Sequence, residues 1–71
     1  MATFDKNVGI TMNYLAQFLE QTNTELRVAF DTGEWEARLL YGSGHKVWSA
    51  WGRDLSEAIE LAISKFHMDG L

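Results

Sequence analysis

Apolar positions change their spacing along this chain, and the changes mark out its elements. From residue 12, Met12, Leu15, Phe18, Leu19 and Thr22 share one face at about 100° per residue, with Asn13, Gln17, Glu20 and Gln21 opposite. The spacing predicts a helix over residues 12–21, capped by Thr11 and ended by the helix-averse run Thr22-Asn23-Thr24. Strict alternation then sets Leu26, Val28 and Phe30 against Arg27, Ala29 and Asp31, the period of a strand. Thr32-Gly33 is a turn in which the glycine supplies a positive φ. A two-residue loop there pairs Phe30 with Trp35, Val28 with Ala37 and Leu26 with Leu39, so the apolar sets coincide. The other side sets Arg27 against Arg38 and Asp31 against Glu34, like-charge pairs that suit a solvated face.

A second turn, Gly42-Ser43-Gly44, leads into a third strand over residues 45–51 whose facing the pattern leaves open. A two-residue loop turns Trp48 and Ala50 inward and leaves Val47 and Trp51 outside, while a three-residue loop does the reverse. Either way one tryptophan reaches the open face near Leu40. The clearest helix follows, over residues 54–66. Leu55, Ala58, Ile59, Ala62, Ile63 and Phe66 form its stripe, and Ser56, Glu57, Glu60 and Ser64 lie opposite. Asp54 caps it, and Glu57 is placed to reach back to the N–H of Asp54 itself. The helix ends near His67, with Gly70 as a left-handed stop, and Leu61 falls off the stripe. The expected architecture is an α+β fold of order α-β-β-β-α. It has a three-stranded antiparallel sheet with both helices on its apolar face. Residues 1–71 form one domain, and residues 1–9, which have no clear period, are read as a flexible arm.

Composition narrows the function. The chain has no cysteine, which removes a disulfide framework and a thiolate metal site and suits a reducing cytoplasm, the expected location being that of a host cell. No run approaches the roughly twenty apolar residues that span a bilayer, and the first residues do not read as a signal peptide. A net charge of −4 argues against direct binding to nucleic acid or an anionic membrane and favours a basic protein partner.

The stretch Gly52-Arg53-Asp54-Leu55-Ser56-Glu57-Ala58-Ile59 after a strand pair resembles the strand-to-helix junction of HicB-like antitoxin domains. With the leading helix and the strand segment Trp35-Glu36-Ala37, residues 11–66 more closely resemble small phage domains described as α-β-α sandwiches. That resemblance implies a fold and a phage or prophage origin, and no reaction. Gly42-Ser43-Gly44-His45 is similar to the segment bearing the catalytic histidine of HicA-like RNA-cleaving toxins. In that family, however, the segment lies between the first two strands of a basic protein.

Candidate chemistry is sparse. His45 reads as a solvated turn residue, and His67 as a histidine favoured by the dipole in the last turn of a helix. No metal-like spacing, phosphate cradle or activated nucleophile is present in the sequence, so neither an enzyme nor a cofactor is expected. Asp31, Glu34 and Glu36 gather around the first hairpin, either as solvated turn charge or as a phosphate-like patch for a Lys/Arg-rich groove. Trp48 or Trp51, with Leu40 and Tyr41, leaves apolar area on the open face, to meet a partner or to be covered by the N-terminal arm or a second copy. The expected partner-binding set is Asp31, Glu34, Glu36, Leu40, Trp48 and Trp51. The expected function is that of a phage-encoded, non-enzymatic inhibitor of a host protein, such as a nucleic-acid-handling defence complex, of the anti-CRISPR kind. The alternatives are a HicB-like antitoxin or small self-associating domain and, last, a HicA-like toxin using His45.

Overall fold

The computed structural model describes residues 12–69, so the arm over residues 1–9, the Thr11 cap and the Gly70 stop lie outside it. Helix α1 spans Met12–Thr22, strand β1 Thr24–Asp31, β2 Glu34–Tyr41, β3 Lys46–Gly52, and helix α2 Leu55–Met68. The strands form one antiparallel sheet in the order β1-β2-β3. This is the α-β-β-β-α order that the periodicity predicts.

Helix α1 turns Leu15 and Phe18 into the core, with Leu19 packed against it, whereas Met12, expected on the same stripe, lies in the first turn and stays exposed. It stops where its own side chains compete for the backbone. The Thr22 hydroxyl donates to the Phe18 carbonyl at 2.6 Å, and Asn23 takes a left-handed φ of 57°. The first hairpin turns on Thr32 (φ 54°) and Gly33 (φ 84°), the paired positive values of a tight turn whose twist matches that of the strands. Phe30 faces Trp35, Val28 faces Ala37 and Leu26 faces Leu39, in the expected register.

The second hairpin settles which tryptophan is inside. Tyr41 pairs with Lys46 across a four-residue connection, closed by the His45 N–H on the Gly42 carbonyl at 3.2 Å. An even-numbered loop keeps the parity of the two-residue alternative. Trp48 therefore lies beside Leu39 and Ala50 beside Ala37, both buried, and Val47 and Trp51 point the other way.

Helix α2 runs along β2 and β3 and buries Ala58, Ile59, Ala62, Ile63 and Phe66. The Phe66 ring joins three elements, meeting Phe18 of α1 at 5.3 Å and Trp48 of β3 at 4.8 Å, both edge-on. Both helices thus share one face of the sheet. Asp54 caps α2 by accepting the Glu57 N–H at 2.9 Å. The returning carboxylate differs from the expected one: Glu57 Oε1 accepts from the N–H of Arg53, one residue before the cap. Gly52 permits the close approach, since a Cβ there would stand 2.7 Å from the Ala58 backbone nitrogen. In the turn that rests on Gly52, Ser56 is buried, against the solvated position that its place on the helical wheel predicts.

The two described helices cover the apolar face incompletely. Leu26 packs against the core, but Val28 and Phe30 on the same side of β1 stay exposed, Phe30 at 59%. The reason is one of widths. A helix about 10 Å across covers two strands spaced about 4.8 Å apart, not three. The shorter α1 serves only the Leu26 end of β1.

Candidate protein-binding face

The side of the sheet turned away from both helices is ordered in rows by the pleat and the register. Across the strands the rows are Glu25, Leu40, Val47; then Arg27, Arg38, Ser49; then Ala29, Glu36, Trp51; and at the hairpin end Asp31, Glu34. Arg27 and Arg38 stand side by side, and each leans along its own strand to a carboxylate. Arg27 Nε donates to Glu25 at 3.0 Å and Arg38 Nε to Glu36 at 3.2 Å. These exposed pairs contribute at most about 1 kcal/mol each, and their main effect is to separate like charges.

Five of the six residues expected to bind a partner share this face: Asp31, Glu34, Glu36, Leu40 and Trp51. Trp48 does not. It is 7% exposed in the core, with its indole N–H donating to Asp69 at 3.0 Å, because the second loop has even length. Trp51 is 46% exposed, one strand over from Glu36. Glu36 keeps only 14% of its side chain exposed and is tied to Arg38, so it belongs to the wall of the face more than to its free charge. Asp31 and Glu34 stand exposed opposite each other at the hairpin tip, where Asp31 also accepts the Thr32 hydroxyl at 2.9 Å.

The apolar residues fall into two patches, not one around Leu40. Leu40 lies beside the half-exposed Val47, and the Arg38–Ser49 row separates that pair from Trp51. Val47 is the contributor missing from the expected set, because its facing depended on the undecided loop. Tyr41 lies on the helix side, packed against the core.

Little else among the described residues suits chemistry. His45 sits on the exposed turn, and His67 is exposed at the end of α2 with its ring 5.8 Å from Phe18 and 5.7 Å from Phe66. No group of three or more His, Cys, Asp or Glu among the described residues is placed to hold a metal ion. A shallow hollow lined by Lys46, Trp48, Lys65 and Asp69 has its cations engaged. Lys46 Nζ meets Asp69 at 2.9 Å and Lys65 Nζ meets the Ser49 carbonyl at 2.8 Å. No helix among the described residues is long and apolar enough to cross a membrane. No family model, curated protein or solved structure matches the chain, so its phage-domain and HicB-like resemblances rest on the residues quoted above.

Proposed function

We propose that this chain is a non-enzymatic binding domain that meets a protein partner with the helix-free face of its sheet, Trp51 being the anchor. The observation that carries the reading is a tryptophan left half-exposed on a paired strand, beside a charged wall and one row from two exposed carboxylates. Tryptophan at the centre of an interface commonly carries much of its energy, and the polar groups around it supply orientation. The acidic tip, Asp31 and Glu34, together with the net charge of −4, selects a basic partner surface. A nucleic-acid-handling host complex presents such a surface, and blocking it is the form of inhibition that the phage-like resemblance favours. The test is capture from host lysate by immobilised chain, with variants run in parallel. A specific partner is expected to be retained by the wild type and weakened at least about tenfold by Trp51→Ala, with the thermal unfolding midpoint nearly unchanged. Equal retention by Trp51→Ala would reject the reading.

A further inference from the structure

We propose that the edge of β1 with which no strand among the described residues pairs joins antiparallel to β1 of a second copy, about a two-fold axis at Ala29, to give a continuous six-stranded sheet. This goes beyond the partner-binding reading, because it uses the outer edge of β1 and the helix-side residues Val28 and Phe30.

The two sheet edges are treated differently by the fold. A two-residue turn makes Asp31 and Glu34 a hydrogen-bonded pair, and the alternation along an antiparallel sheet then follows. On β3, Val47, Ser49 and Trp51 aim their backbone groups outward. There α2 overlies the strand, and Lys65 Nζ caps the Ser49 carbonyl at 2.8 Å. On β1, Leu26, Val28 and Phe30 aim their backbone groups outward. At the hairpin half of β1 the side chains of Val28 and Phe30 remain exposed, with the Phe30 ring 5.0 Å from that of Trp35. An edge whose backbone groups meet no strand among the described residues, beside exposed apolar side chains, is a template for another strand.

Charge selects the occupant and the register. The open face of β1 reads Glu25, Arg27, Ala29, Asp31. Pairing about Ala29 sets Arg27 opposite Asp31 of the second copy, twice by symmetry, and Val28 opposite the second copy's Phe30, also twice. Those Val28–Phe30 pairs are the ones whose outward backbone groups exchange hydrogen bonds. Centring one residue earlier, on Val28, instead opposes Glu25 to Asp31, two like-charge contacts. Centring on Leu26 leaves Phe30 unpaired. Only the Ala29-centred arrangement joins opposite charges on one face while covering both bare residues on the other.

The chain has no cysteine, so single cysteines read the register directly. At the axis the two Ala29 residues form a non-hydrogen-bonded pair, with Cα atoms about 4.5 Å apart, within the span of a disulfide. Sedimentation of the full chain is expected to show a dimer with Kd below about 100 μM. Phe30→Asp is expected to yield a monomer with an unchanged far-ultraviolet spectrum, because Phe30 is outside the core. Under mild oxidation Ala29→Cys should crosslink at least about tenfold faster than Arg27→Cys, whose register partner is Asp31 and not itself. A wild-type monomer at that concentration, a Phe30→Asp dimer of undiminished affinity, or equal crosslinking rates would overturn the proposal. Trp51→Ala should leave dimerisation intact, which separates failure here from failure of the partner-binding reading.

Discussion

Phe66 is the side chain whose loss should be felt most, because its ring touches both Phe18 and Trp48 and so holds α1, α2 and β3 together. Phe66→Ala is expected to cost about 3–5 kcal/mol, measured by urea unfolding, a large share of the stability of a domain this small. Trp51→Ala, by contrast, should cost under about 0.5 kcal/mol in the same assay, since the side chain is half in water already. A comparable cost for the two would mean that Trp51 is structural. Gly52 is a different kind of requirement. Its Cβ position is occupied by the first turn of α2, 2.7 Å from a backbone nitrogen that cannot rotate away. Gly52→Ala is therefore predicted to destabilise by about 1–3 kcal/mol, and an unchanged unfolding midpoint would refute the close approach.

At the scale of elements, both ends of α2 are fixed. Its start is capped by Asp54, and its end is tied to β3 through Asp69, which receives Lys46 Nζ and the Trp48 indole N–H. These hydrogen bonds, that of Lys46 first, together with the Lys46 charge, hold the Asp69 carboxyl below its ordinary value of 3.8. A depressed carboxylate contributes stability that is fully present above the unfolded-state value and is lost as pH falls through the folded one. The stability difference between wild type and Asp69→Asn should accordingly be constant from pH 7 to about pH 5 and shrink below about pH 4. Urea titrations across that range test it, and a difference that grows in acid would reverse the assignment. The hairpins show which element-level features a sequence declares. Alternation in Leu26–Phe30 and the Thr32-Gly33 turn specify one register, because a slip would expose Trp35 and bury arginine. The second hairpin does not declare itself. Val47 and Trp51 alternate with Trp48 and Ala50, so both faces of β3 look apolar, and only loop parity separates them.

For the whole molecule, charge and exposure lie unevenly. The open face carries Asp31 and Glu34 exposed at its tip and arginines already paired with carboxylates further along. Partner binding through it is expected to weaken with salt, and Glu34→Lys to weaken it about three- to tenfold, more in association rate than in dissociation rate. A titration with a salt-independent affinity, or one unmoved by Glu34→Lys, would remove the acidic tip from the interface. Four of the six expected interface residues, Asp31, Glu34, Glu36 and Leu40, could be placed from the sequence because strand parity puts them on the solvated side together, whereas Trp51 waited for the parity of the second loop. Their grouping could not be placed in this way. That Arg38 and Ser49 separate Trp51 from the Leu40–Val47 pair depends on the register of the third strand, and that Glu36 is enclosed depends on its neighbours across two strands.

Local period and turn chemistry, both properties of neighbouring residues, were enough to determine the element order, the first hairpin's register and most of the buried stripes of the two helices, Met12 and Ser56 being the exceptions. What waited for the tertiary structure was how far those stripes reach. One helix is too narrow for three strands and α1 is too short to cover what remains, so part of β1 stays bare although Leu26, Val28 and Phe30 all line its helix side. Such cover is a matter of distances between segments far apart in the chain, and no period within a segment encodes it.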